Sequence, residues 1–214
     1  MLAFATLDQE TSEGCFYSLP RGGKTIQGPS VRLAEIAVSC YGNLRAGVRI
    51  INTVSTGDNP HVVLQAVCHD LEKNVAIQVE KRRRIVGKKS KGGAIDEDDI
   101  NLAANAGAAI AFRDAVFKVI PGALIKPVCD EAKRVAIGDS KTLSERRQRA
   151  IDSFGKMSVS KDKILAFLGK KSVEDIDLTD LETMFGLHTA IPSSLLTLIF
   201  GPKKERHGAI NTLA

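Results

Sequence analysis

Along much of the chain, apolar and polar positions follow two periods, one close to 2 and one close to 3.6. From Asn43 to Ser55 the apolar residues Leu44, Ala46, Val48 and Ile50 alternate with Arg45, Gly47 and Arg49. That alternation predicts a half-buried strand whose open face carries two arginines. Thr56-Gly57-Asp58-Asn59-Pro60 is a turn, and His61 to Asp70 reads as a second strand. After a further turn at 70–74, Val75 to Val86 alternates again. Val75, Ile77 and Val79 face one way; Gln78, Glu80, Arg82 and Arg84 face the other. Three consecutive strands joined by short turns predict an antiparallel meander.

Helical spacing governs most of the rest. Gly28-Pro29-Ser30 opens a helix carrying Val31, Leu33, Ala34, Ala37 and Val38, which Tyr41-Gly42-Asn43 ends. The acidic run Asp96 to Asp99 precedes a long helix over about 100–119, where its charge suits the positive end of the helix dipole. The body of that helix, LAANAGAAIAFRDAVFKVI, is dense in Ala and Gly, which lets it lie close against a sheet or another helix. Pro121-Gly122 interrupts, and a further helix is predicted over 123–137. Short helices follow at 144–156, 160–169 and 179–191, with Ser160 and Thr179 as caps. Residues 15–20 read as a short strand ended by proline. The predicted class is therefore α+β: an antiparallel β-meander backed by a long helix, a β-β-β-α core, with a small C-terminal helical module. The predicted division is a core over 1–140, a helical module over 141–200 and a tail over 201–214.

Composition narrows the possibilities. At 214 residues and 43% hydrophobic content the chain suits one large domain, or one domain with a small appendage. No apolar run reaches the ~18 residues of a membrane span. Residues 1–10 carry Asp8 and Glu10 without the cationic head of a signal peptide. Cys15, Cys40, Cys68 and Cys129 are scattered, with no C-x-x-C pair, as expected of free thiols in a reducing cytosol.

Charge is more telling in its distribution than in its sum of +5. Met1 to Asp70 holds five Lys/Arg against six Asp/Glu, whereas Leu71 to Lys141 holds fourteen against ten. Seven cations and no acid fall between Lys81 and Lys91. Such a concentrated stripe points to a localised polyanion site, against the alternative of a solvated charged loop.

Several catalytic motifs fail on inspection. Gly22-Gly23-Lys24-Thr25 imitates the end of a phosphate-binding loop, but Ser18 stands where its first glycine belongs. Ile26-Gln27-Gly28-Pro29 then denies the helix N-terminus that would bind phosphate. Glu131-Ala132-Lys133 matches a nuclease E-x-K by letters but falls in a predicted helix, and Glu80-Lys81-Arg82 has arginine where lysine belongs. His61 and His69, about 26 Å apart if on one strand, cannot share a metal. The acidic run lacks the spacing of a calcium loop and is expected to cap its helix.

The cations form the positive signal. Arg45 and Arg49 are expected on the open face of one strand, Arg82 and Arg84 on that of another. Lys88, Lys89 and Lys91 extend the stripe onto a loop. Lysine and arginine neutralise phosphates and release counterions, giving salt-sensitive binding with little sequence preference. Tyr17, Tyr41 and Phe16 have the rings to stack bases, but in a chain so poor in aromatics they are first of all core residues.

The phrases YSLPRGGKTIQGPSVRLAEIA, YGNLRAGVRIINT, VCHDLEKNVAIQVEKRRRIV and NAGAAIAFRDAVFKVIPGAL, in that order, resemble phage and prophage single-strand annealing recombinases, the group of the Red-beta, Erf and RecT proteins and the eukaryotic Rad annealing protein. The resemblance runs from about Gly14 to Ile191. ILAFLGKKSVEDIDLTDLETMFGLHTAI is similar to the helical module that ends such proteins, and the chain after Ile191 departs from the pattern. The resemblance implies ATP-independent binding of single-stranded DNA, pairing of complementary strands and assembly into rings or filaments. It implies no cofactor, the cytoplasm of a bacterial host, and a C-terminal module that binds a single-strand-binding protein or an exonuclease. The neutralising residues it would use are Arg21 and Lys24 beside the Gly-Gly turn, then Arg45, Arg49, Lys81, Arg82, Arg83, Arg84, Lys88, Lys89 and Lys91. Arg113 and Lys118 on the long helix join them. A non-annealing single-strand-binding accessory protein and a magnesium-dependent nuclease stand as alternatives.

Overall fold

The computed structural model describes residues 1–21, 24–87, 94–138 and 142–190. It is an α+β structure with a three-stranded antiparallel sheet packed on one long helix. Helices α1 (Leu2–Ala5) and α2 (Gln9–Gly14) precede a hairpin of β1 (Phe16–Arg21) and β2 (Lys24–Pro29). Helix α3 (Val31–Tyr41) leads to the meander β3 (Leu44–Val54), β4 (His61–Asp70) and β5 (Val75–Arg84), paired in that order. Then come α4 (Glu97–Val119), α5 (Gly122–Ile137), α6 (Leu143–Lys156), α7 (Lys161–Leu168), a 3-10 turn at Val173–Asp175, and α8 (Leu178–Ala190).

Contacts divide the chain into two units: Met1–Phe16 with Gln27–Ala136, and Tyr17–Ile26 with the chain from Ile137. The first unit is built on the meander. Register runs without a break from Leu44↔Asp70 to Ile50↔Leu64, then resumes at Asn52↔Val63, so Ile51 is the extra residue of a β-bulge. Residues opposite one another share a face. One face therefore holds Val62, Leu64, Ala66 and Cys68, all fully buried. Helix α4 covers it, and Val62, Leu64, Ile85, Ala103 and Ala104 form the core between them.

The small residues of α4 earn their place through distance. A Cβ on Gly107 would stand 2.5 Å from Leu64 Cδ1 and 3.2 Å from Arg83 Cβ. The helix thus lies closer to the sheet at Gly107 than a side chain there would allow. Its N-terminus is a reciprocal capping box. The Asp99 amide donates to Asp96 Oδ1 at 2.9 Å, and the Asp96 amide donates to Asp99 Oδ2 at 3.2 Å. The acidic run caps this helix as its position predicts, and the helix starts at Glu97, earlier than the apolar pattern indicates. Ser30 caps α3 by accepting from the amides of Arg32 and Leu33.

At the far end of the meander, Asp70 Oδ1 accepts from the amides of Glu72 and Lys73, both at 3.0 Å. Its Oδ2 pairs with Lys73 Nζ at 3.0 Å, and that ammonium also donates to the Tyr41 hydroxyl. The amide and ammonium of Lys73 hold the Asp70 carboxyl below the usual carboxylate range.

In the second unit, Ala150, Phe154, Val159, Ile164, Leu165, Ile176, Leu181, Met184, Phe185 and Leu187 are buried. Gly169, with φ 68°, ends α7, and the Lys170 amide reaches back to the Leu165 carbonyl. Lys170 Nζ then pairs with Asp177 at 3.2 Å and Asp180 at 2.8 Å. Asp177 and Asp180 exchange side-chain and backbone bonds at the start of α8, so Asp177 and not Thr179 performs the capping there. Gly186 packs directly on Ser18, where a Cβ would meet the Ser18 Cβ and backbone nitrogen. The hairpin segment thus belongs with the C-terminal helices, although more than a hundred residues separate them in sequence.

Three further features differ from the sequence expectation. The pattern shows only a proline-ended strand at 15–20, whereas Lys24–Pro29 forms its hairpin partner despite Gly28 and Pro29. Both α1 and α2 are too short for periodicity to reveal them. Strand β3 is less buried than its alternation predicts: Val48 and Ile50 lie on the helix side yet are exposed. Helix α4 centres on β4 and β5 and leaves this edge strand largely uncovered.

Candidate nucleic-acid interface

The pleat sorts the cations of the meander between two faces. On the face away from α4 the register sets Arg45 beside His69, Arg49 beside Gln65, Arg82 beside Val63 and Arg84 beside His61. All four arginines are exposed. Arg82 and Arg84, two residues apart, stand about 7 Å from one another along the strand, and Arg45 and Arg49 about 13 Å. The two strands lie about 10 Å apart across β4. The result is a cationic field flat enough for an extended polyanion.

Its inner geometry is partly fixed. Arg49 donates from Nε and Nη2 to Gln65 Oε1 at 3.1 and 2.8 Å. His61 is buried, with Nδ1 2.7 Å from the Asn59 carbonyl, which makes that nitrogen a donor. Arg82 Nη2 lies 3.3 Å from the same nitrogen, so its own donors stay available to a ligand. Glu80 is the one acid on this face among the described residues. Among them it carries no Phe, Tyr or Trp; its rings are the imidazoles of buried His61 and half-buried His69. Its four guanidinium groups suit phosphates better than its two imidazoles suit base stacking.

Lys81 and Arg83 go the other way. Lys81 Nζ pairs with Asp114 of α4 at 2.8 Å, and Arg83 Cβ lies against Gly107. Arg113 donates to Asp114 Oδ1 from Nε and Nη2 at 3.1 and 2.8 Å. Burial opposes the charge on Asp114, but the hydrogen bonds from Lys81 and Arg113 outweigh it and hold the carboxyl below its ordinary range. One aspartate therefore serves two of the expected groove cations. Lys118 is exposed in the last turn of α4, where it also complements the helix dipole.

The thirteen cations read from sequence thus do not form one cluster. Arg45, Arg49, Arg82 and Arg84 share the open face. Lys81, Arg83, Arg113 and Lys118 belong to the helix side or to the helix itself. Arg21 ends β1 and Lys24 opens β2, with side chains outside the described set. Lys88, Lys89 and Lys91 lie outside the described residues.

The discarded motifs have structural roles. Lys24 and Thr25 open strand β2, which runs on to Pro29, so no helix N-terminus stands directly after them to bind a phosphate. Glu131 accepts from Arg134 at 2.6 and 2.9 Å within α5, and Lys133 Nζ lies 5.6 Å from the centre of the Phe16 ring. Phe16 is fully buried, and Tyr41 holds Lys73. Cys15 is buried, and burial followed by the neighbouring Cys129 pushes its thiol up to about 12. Among the described residues no group of three His, Cys, Asp or Glu is placed to hold a metal ion, and no helix is long and apolar enough to cross a membrane. No protein-family model, no curated protein and no solved structure matches this chain.

Proposed function

We propose that this protein binds single-stranded DNA through the open face of its meander and anneals complementary strands without nucleotide hydrolysis, as in phage-type homologous recombination. The observation that carries the reading is the set of four exposed arginines, from two strands, on the face that α4 leaves free. Annealing makes and breaks no covalent bond. It needs the repulsion between two phosphate chains reduced while base edges stay free to pair. A cationic face without Phe, Tyr or Trp meets both needs, because guanidinium groups take phosphates and no large ring competes for the bases.

In this reading the protein works as a homo-oligomer, a ring or a filament, so that the few phosphate contacts of one copy add up along the strand. The C-terminal helices dock a single-strand-binding protein or an exonuclease. The site of action is the cytoplasm of a bacterial host, with the gene carried by a phage or prophage. Arg21, Lys24, Lys88, Lys89 and Lys91 would extend the strand's path.

The test is pairing of two complementary fluorescent oligonucleotides in low salt, with no nucleotide present. The purified protein is expected to accelerate pairing in proportion to its coverage of the strand. Absence of affinity for unpaired DNA at low ionic strength overturns the reading. Binding without acceleration would make the protein a strand-covering accessory factor instead.

A further inference from the structure

We infer that copies of this chain join edge to edge, with β3 of one copy beside β5 of the next, so that the sheet and its open arginine face run on from subunit to subunit. This deepens the annealing reading by naming the surface that would connect one binding face to another.

Among the described residues no strand pairs with the outer edge of β3 or of β5. A long strand with a free edge presents unpaired amides and carbonyls, and isolated proteins guard such edges with lysine, proline or inward charge. Strand β3 runs for eleven residues with no lysine or proline, its one guard is the bulge at Ile51, and both of its arginines sit on the open face. At this edge Val48 is 38%, Ile50 52% and Ile51 41% exposed, and at the other edge Val75 is 46% exposed.

The charge pattern selects the occupant. The sheet is crossed by rows of facing residues, and β3 and β5 run in the same direction because both oppose β4. A copy added by a shift along those rows sets its β5 parallel to β3. The row Arg49–Gln65–Glu80 begins with a cation and ends with an acid, so Glu80 of the added copy comes beside Arg49. In the other open-face rows Ala76 comes beside Arg45, Gln78 beside Gly47, Arg82 beside Asn52 and Arg84 beside Val54. No like charges stand directly opposite one another; Arg82 lies on the diagonal from Arg49, farther than Glu80.

On the helix side Val75 comes beside Leu44, Ile77 beside Ala46 and Val79 beside Val48. The exposed valines of both edges thereby find apolar neighbours. The rival pairing of β3 with β3 in antiparallel fashion about Gly47 sets Arg45 against Arg49, which is unfavourable. A contact that uses two different edges is head-to-tail, and such contacts propagate into rings or helical filaments. Helices need about 10 Å of width where strands need about 4.8 Å. Helix α3 packs beside α4 and reaches β3. Successive copies would then splay on the helix side and curve the array toward the arginine face.

The test uses the full chain without DNA, its mass read by light scattering or mass photometry. The wild type is expected as a multiple of 23.0 kDa. Glu80→Arg places a cation beside Arg49, and Ile50→Lys places one beside Lys81 of the next copy. Each is expected to yield a single 23.0 kDa species with unchanged circular dichroism. Glu80→Arg combined with Arg49→Glu restores the opposite-charge pair and is expected to return the multimer. A wild type that stays at 23.0 kDa at every soluble concentration overturns the inference. So does a dimer that persists in Glu80→Arg, or a double variant that fails to reassemble. Strand annealing measured on the same samples separates the two proposals. Assembly without affinity for single strands would keep the edge contact and remove the proposed function, whereas strand binding by a monomer would do the reverse.

Discussion

Replacing Arg82 and Arg84 by alanine is expected to change the salt dependence of strand binding, while replacing Lys81, their neighbour in sequence, is not. The pleat makes the distinction. Arg82 and Arg84 project from the open face, whereas Lys81 is paired with Asp114 at 2.8 Å on the helix side. For single strands each neutralised phosphate contributes about −0.7 to the slope of log K against log salt concentration. Four open-face arginines, each taking one phosphate, give a slope of about −2.8 for a subunit whose Arg49 is not engaged by a neighbouring Glu80, or roughly a 50-fold loss of affinity for a fourfold rise in salt. The double alanine variant leaves two, a slope of about −1.4 and roughly a 7-fold loss. Lys81→Ala removes a cation that Asp114 already neutralises, so the slope should hold. Its cost to stability is that of a partly exposed pair, up to about 1 kcal/mol. Fluorescence anisotropy with a labelled oligonucleotide, titrated at several salt concentrations, reads the slope directly. Equal slopes for wild type and the Arg82/Arg84 variant, or an equal drop for Lys81→Ala, would refute the assignment of the open face.

Gly107→Ala should destabilise the protein despite the better helix propensity of alanine. The gain of about 1 kcal/mol is set against a methyl 2.5 Å from Cδ1 of fully buried Leu64 and 3.2 Å from Arg83 Cβ, so the leucine must turn within the core to admit it. Overpacking of that kind costs about 1–3 kcal/mol, so a lower thermal midpoint is expected, and an unchanged or higher one counts against the close approach of α4. Asp70 has a folded pKa below its ordinary value, so its contribution is present above the unfolded pKa of ~3.9 and lost as pH falls through the lower folded value. Asp70→Asn should therefore lower stability near neutrality and flatten the acid limb of a urea-denaturation series. An acid limb as steep as that of the wild type would show that Asp70 is not coupled to folding.

Local periodicity was enough for the parts of the fold that obey it. The alternation in 43–55 and 75–86, with turn residues between strands, determined a three-stranded meander. The Ala and Gly of 100–119 determined a helix able to lie close on it, and Asp96 was positioned to cap that helix. The β5 alternation also placed Arg82 and Arg84 together on one face, because a strand's side-chain period is a property of its own residues.

What periodicity could not supply was which partner each surface meets. The fates of Lys81 and Arg83 depended on where α4 lies: they share the charge run of Arg82 and Arg84, but their face is turned to Asp114 and Gly107. The same holds for β3. Its apolar alternation promises burial, yet α4 centres on β4 and β5, so Val48 and Ile50 remain exposed. Lys24–Pro29 became a strand because Phe16–Arg21 stood ready to pair with it, against the local preference of Gly28 and Pro29. The segment Tyr17–Ile26 joined the C-terminal helices because Gly186 lets α8 come close enough to touch Ser18. Sequence sets what each segment prefers over a few neighbouring residues. Contacts between residues tens to hundreds of positions apart decide which of those preferences are buried, neutralised or left open to a ligand.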